Sequence, residues 1–145
     1  MPSSIAAFLG GRRVLRETVT TDLQLAELVR AGLPAQSLDH VLDELSPAVA
    51  PQADIYRVVG NIRTLQRKRT AHTRLSPDES DRLARLARIV VRAGDALGSA
   101  PVAYHWLAKA NRALGGSTPL SLLDSDAGTL AVEQVLGRIE HGVYS

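Results

Sequence analysis

The chain contains no cysteine. That absence rules out disulfides, thiolate nucleophiles and cysteine-ligated zinc together. Aromatic residues are scarce as well: they make up 3% of 145 residues, against 45% hydrophobic in total, so the core must be built from Leu, Val, Ile and Ala. No apolar run approaches the about 18 residues needed to cross a bilayer. The opening M-P-S-S-I-A-A-F-L-G-G has no basic start before its short apolar patch, and so matches a secretion signal poorly. These absences predict a cytoplasmic protein with no membrane contact. Its length suits one ordinary domain, or two small lobes leaning on each other.

Signals for catalysis are missing too. His40, His72, His105 and His141 share no metal-ligand spacing. No serine lies in a G-x-S-x-G elbow. The carboxylates fall at capping or solvent-facing positions, with no pair that demands acid/base work. Gly115-Gly116 lacks the strand and glycine-rich helix of a phosphate loop and reads as a turn. The expectation is a binding protein, with no enzyme activity, cofactor or metal.

Charge is what the chain has in an uneven supply. The net charge is +2. Residues 1–56 carry four basic and seven acidic side chains. Residues 57–92 carry ten basic side chains against Asp78, Glu79 and Asp81, and residues 93–145 carry three basic and five acidic. A basic block between two mildly acidic ones points to a polyanion engaged by the middle only.

Periodicity predicts helix throughout, so the fold class is all-α. Thr21 and Gln24 form a capping box for a helix ending at Gly32. Leu38, Val41, Leu42 and Leu45 follow i, i+3, i+4, i+7 spacing up to Ser46-Pro47. Pro51 opens a short helix to Val59, and another runs from Ile62 to about Thr70. Ser76-Pro77-Asp78-Glu79 is the strongest helix start, leading into a stripe of Leu83, Leu86, Ala87, Val90 and Leu97. Pro101 opens a helix with Trp106 and Leu107, where the tryptophan reads as core rather than site. Thr118-Pro119 opens a short helix, and a last one starts near Ser125 or Asp126 and ends at a left-handed Gly142. No segment alternates as a strand would. Residues 1–20 show little pattern, leaving an ordered arm and a loose tail both open. Gly94, Gly98 and Ser99 place a boundary between Ala93 and Ala100. The division is therefore an arm at 1–20, a helical region at 21–98 and a C-terminal domain at 99–145.

V-V-G-N-I-R-T-L-Q-R-K-R (Val58 to Arg69) reads as helix, glycine turn and basic helix, the helix-turn-helix layout. Ile62 and Leu65 are expected to face the core. Arg63 and Arg67, four apart, are placed to reach guanine edges or phosphates, with Thr64 and Lys68 in the adjacent row and Arg69 beyond. The pair at residues 22–31 and 35–45 is a rival. Its second helix carries Asp39, Asp43 and Glu44, which phosphates repel. Downstream, Arg82, Arg85, Arg88 and Arg92 read either as a solvated face neutralised by Asp78 and Asp81 or as a phosphate or dimer contact. Ile89 within that stripe slightly favours a buried interface.

The last 35 residues carry a further signal: L-G-G-x-T-P-L-x-L-L (Leu114 to Leu123), D-x-D-x-G (Asp124 to Gly128) and L-G-R-I-E-x-G-V-Y-S (Leu136 to Ser145). This segment resembles the toxin-binding domain of antitoxins from bacterial RES–Xre toxin–antitoxin pairs, a group that includes ParS-like antitoxins. R-T-L-x-R-K-R followed by R-L-S-P-D-E-S-D-R-L-A-R-L-A-R is similar to the helix-turn-helix region that precedes that domain in the family. The resemblance implies a type II antitoxin, a homodimer that binds operator DNA and represses its own operon. It also implies a partner RES-domain toxin that consumes NAD and has a fold related to ADP-ribosyltransferases. Toxin contact is expected at Arg138, Glu140, His141, Val143, Tyr144 and Ser145. The tail either fills the toxin's cleft, with the Ser145 carboxylate mimicking an anionic group of the substrate, or blocks it by bulk. The competing reading is a stand-alone helix-turn-helix transcriptional regulator, which leaves the terminal segment without a purpose.

Overall fold

The computed structural model describes residues 1–46 and 49–142. Nine α-helices follow in chain order among them: α1 (Pro2–Phe8), α2 (Gly11–Leu15), α3 (Asp22–Ala31), α4 (Ala35–Leu45), α5 (Gln52–Val59), α6 (Ile62–Ala71), α7 (Pro77–Leu97), α8 (Ala100–Ala108) and α9 (Asp126–Glu140). Two 3-10 turns, Arg112–Leu114 and Leu120–Asp124, lie between α8 and α9. There is no strand among the described residues, only an isolated bridge between Pro34 and Arg74. The fold is all-α.

Local chemistry accounts for most helix boundaries. Both capping boxes form, at Thr21 with Gln24 and at Ser76 with Glu79, so each helix start satisfies its own exposed amides. The side chain of Asn61 caps α6, that of Ser99 caps α8 and that of Ser125 caps α9. The segment opened by Thr118-Pro119 forms a 3-10 turn rather than an α-helix.

One buried cluster holds all of this together. α7 contributes Leu83, Leu86, Ala87, Ile89, Val90 and Ala93, and both halves of the chain pack on it. Leu120 and Leu123 of the second 3-10 turn, and Val132 and Leu136 of α9, belong to the same cluster as Leu38, Ile55 and Val59. Trp106 is half-buried against it. The expected interruption at Gly94 does not occur. α7 runs through it to Leu97, and Gly98 closes the helix in a left-handed conformation. A glycine inside a helix costs only about 1 kcal/mol, which the buried stripe on either side outweighs.

Residues 1–20 are the larger surprise. They fold as α1 and α2, burying Ile5, Ala6, Phe8, Leu9, Leu15 and Val19. The open choice between arm and tail resolves to an ordered arm. Its pattern was hard to read because each helix is only two turns or less, too short for a period to show. Leu9 is fully buried, so Leu9→Ala should lower the stability of the whole protein by about 2–5 kcal/mol in urea unfolding.

Candidate functional site

α5, the Gly60-Asn61 turn and α6 have the helix-turn-helix layout. Asn61 Oδ1 accepts a hydrogen bond from the Thr64 amide at 3.1 Å, fixing where α6 begins. Leu65 is the one buried residue of α6. With so narrow an apolar anchor, polar contacts orient the rest of the inner side. Lys68 Nζ pairs with Glu79 Oε1 at 2.6 Å, tying α6 to the first turn of α7. Arg69 donates to Asp39 of α4 and to the Tyr56 hydroxyl of α5, with its guanidinium near the Tyr56 ring. Burial pushes the Glu79 carboxyl up, but hydrogen bonds from Lys68 and the Ser76 amide outweigh it and hold the pKa below the usual carboxylate range. Glu79 is therefore ionised at neutral pH and keeps Lys68 turned inward.

What remains outside is a single face. Ile62, Arg63, Gln66, Arg67 and Thr70 are all exposed, and at about 100° per residue they fall within roughly 140° of the helix circumference. Arg63 and Arg67 stand on that face as expected and carry no ion pair among the described residues. Thr64 is half-buried at its edge. Lys68 and Arg69 point the other way and position the helix. Ile62 is a correction: 43% exposed, it stands outward rather than in the core. Ile62, Gln66 and Thr70 were missed as surface candidates. Taking Leu65 alone as the anchor would have found them, because Ile62 lies about 60° from it and away from Lys68.

The arginine stripe of α7 has different partners from those expected. Arg85 Nη1 pairs with Asp126 at 2.5 Å, and Arg85 Nη2 donates to the Leu123 carbonyl at 3.1 Å. Arg88 reaches Glu133 at 3.5 Å, while Arg92 contacts Glu133 at 3.4 Å and Glu140 at 3.0 Å. Asp78 and Asp81 make no ion pair among the described residues, and Arg82 is exposed. Early residues of α7 meet early residues of α9 and late meet late, so the two helices run in the same direction. Acids at 126, 133 and 140 recur every seven residues, about two helical turns, and so share one face of α9. The stripe is thus an internal clasp.

The side of α9 opposite its buried Val132, Val135 and Leu136 is open, next to the clasp acids. Leu130 (57% exposed), Gln134, Arg138 and His141 line up at i, i+4, i+8 and i+11. Arg138 and His141 therefore lie together on the outward face. Glu140 belongs to the clasp. Val143, Tyr144 and Ser145 lie outside the described residues, but Gly142 before them is left-handed at φ 72°, as its position predicts. Leu130 and Gln134 were missed as site residues. The signal available was the i, i+4, i+8 row leading up to Arg138.

The D-x-D-x-G step has a steric cause. A Cβ on Gly128 would lie 2.0 Å from the Leu122 carbonyl oxygen, so only glycine lets α9 start this close to the preceding turn.

Two family models match along the chain. Residues 24–88 match the antitoxin Xre-like helix-turn-helix domain, and residues 87–142 match the antitoxin Xre/MbcA/ParS C-terminal toxin-binding domain. An antitoxin Xre of Yersinia enterocolitica is 40% identical over 123 residues, 83% of this chain and 81% of that protein. The chain belongs to the Xre antitoxin family. An antitoxin Xre of Photorhabdus laumondii is 34% identical with the same coverage, and one of Pseudomonas putida is 38% identical over 81 residues, 56% of this chain and 51% of that protein. This antitoxin is accordingly a binding protein rather than an enzyme, with its helix-turn-helix first and its toxin-binding domain second. The stand-alone regulator is set aside by the match through residue 142. Among the described residues no helix is long and apolar enough to span a membrane, and no three His, Asp or Glu side chains converge as a metal site.

Gly128→Ala should force the Leu122 turn and α9 apart and lower stability by about 1–3 kcal/mol in thermal or urea unfolding. An unchanged midpoint would show that the close approach is not a constraint.

Proposed function

We propose that this antitoxin neutralises an NAD-consuming RES-domain toxin by occluding its active site, and binds operator DNA as a homodimer to repress its own operon. The observation that carries the DNA half is the outward face of α6, whose two arginines have no acidic partner among the described residues while the remaining basic residues of that helix are tied inward. Arg63 and Arg67 suit guanine edges or phosphates, Gln66 suits the N6/N7 edge of adenine, and Ile62 suits a thymine methyl. Lys68 and Arg69 hold the helix at the angle this requires, and Thr64 borders the contact. A single short helix makes few base contacts, which favours a dimer on half-sites about one helical turn apart. Action on DNA also places the protein in the cytoplasm.

The toxin half rests on the terminal L-G-R-I-E-H-G-V-Y-S and on the open face of α9. Leu130, Gln134, Arg138 and His141 supply the contact surface. Glu140, held by Arg92, anchors the end of α9, and the terminal Val143, Tyr144 and Ser145 are the residues assigned to the toxin's cleft. Resemblance of this segment to partners of RES toxins supports that identity of the target.

In gel-shift titration against DNA from upstream of its own gene, Arg63→Ala with Arg67→Ala should lose about 1–3 kcal/mol per base contact and relax sequence preference. Wild-type binding by the double variant would remove α6 as the reading helix. Deletion of Val143 to Ser145 should release toxicity and NAD loss on co-expression of the toxin while the complex still co-purifies. Full protection by the shortened protein, with the complex intact, would assign occlusion to the α9 face instead.

A further inference from the structure

The arginines of α2 have no part in either surface described so far, and α2 lies outside both matched segments. Arg13 and Arg16 face Arg74, which follows α6, across a depression of about 300 Å³. Leu15 and Pro34 also line it, with Gln36 of α4 beside them. Among the described residues no carboxylate lines it, and none of the three arginines makes an ion pair. Arg69 and three arginines of α7, Arg85, Arg88 and Arg92, find acids, whereas here three arginines without an ion pair gather around one hollow.

The hollow is also firmly built. Arg74 Nη1 donates to the Gly32 carbonyl at 2.6 Å, directing the rest of its guanidinium away from that anchor. The Ala35 amide donates to the Thr73 carbonyl at 3.0 Å, and the Leu75 amide to the Leu33 carbonyl at 2.8 Å, so the segment after α6 is stitched to the start of α4. Arg16 is held at φ 67°, a left-handed conformation that residues other than glycine rarely adopt. It closes α2 there, its amide bonded to the Arg12 carbonyl at 2.8 Å.

We infer that Arg13, Arg16 and Arg74 form a phosphate cradle that grips the backbone of duplex DNA beside the footprint of α6. The inference rests on the DNA-binding reading above and extends it to a second element. Position supports it. Gln36 borders the cradle, and Asp39, one turn further along α4, borders a depression shared with Gln66 and Thr70 of the outward α6 face. The cradle and the reading helix thus flank one stretch of α4. The carboxylate between them, Asp39, is neutralised by Arg69 and so does not repel a phosphate chain crossing from one to the other. The Arg69–Asp39 pair then serves two ends: it orients α6 and removes a negative charge from the path.

The test uses the full-length protein and two labelled duplexes, the region upstream of its gene and a scrambled sequence, in anisotropy titrations over a range of salt. Each phosphate neutralised contributes about 0.9 to the slope of log K against log salt. Arg13→Gln with Arg16→Gln should lower that slope by about 2 per protomer, weaken both duplexes alike and leave their affinity ratio unchanged. Arg13→Lys with Arg16→Lys should restore the slope, which a merely structural role would not predict. An unchanged slope in the glutamine variant, beside weakened binding by Arg63→Ala with Arg67→Ala, overturns the cradle and leaves the reading helix standing. A changed affinity ratio overturns the phosphate assignment in favour of base contact. Absence of salt-dependent DNA binding by the wild-type protein overturns both readings together.

Discussion

Burial of the inner face of α7 is the constraint on which everything else depends. Leu83, Leu86, Ala87, Ile89 and Ala93 have no exposed surface, and they are covered by helices from before and after them in the chain. At about 25 cal/mol per Å² of apolar surface removed from water, no combination of the surface ion pairs approaches this contribution. The arginines on its outer side then decide where α9 lies, and the capping glutamate at its start decides how α6 is held. Hydrophobic packing supplies the stability of the arrangement, and charge supplies its angles.

Sequence pattern revealed the helices wherever they were long or capped. Both capping boxes, the Gly98 stop and the Gly142 conformation were legible because each is set by residues within one turn of one another. α1 and α2 were not, because their burial depends on partners dozens of residues away. The same distinction explains the site. Arg63 and Arg67 could be placed by spacing alone, whereas the inward turn of Lys68 and Arg69 depends on Glu79, Asp39 and Tyr56, which spacing does not reveal. Ile62 was misplaced by its apolar character: a single hydrophobic residue at a helix start belongs as readily to an interface as to a core.

Basic residues in this chain fall into two populations that composition does not separate. One group, Lys68, Arg69, Arg85, Arg88 and Arg92, is occupied by carboxylates and does structural work. The other, which includes Arg63 and Arg67, has no such partner among the described residues. The sum of charges over residues 57–92 therefore overstates the field available to a ligand. It overstates it most in α7, whose positive charge is largely returned by the acids of α9. The two populations also differ in their sensitivity to salt: screening weakens an exposed attraction over distance more than a close, part-buried pair.

The unbroken course of α7 through Gly94 has a mechanical meaning. At 1.5 Å per residue its 21 residues make a rod about 30 Å long, rooted beside the helix-turn-helix and running alongside the C-terminal helix. A rod without a hinge does not report events at one end by bending at the other. It reports them by fixing, in distance and in rotation, where a body attached at one end stands relative to a body attached at the other. Communication in such a protein is a matter of what fits side by side rather than of changing shape.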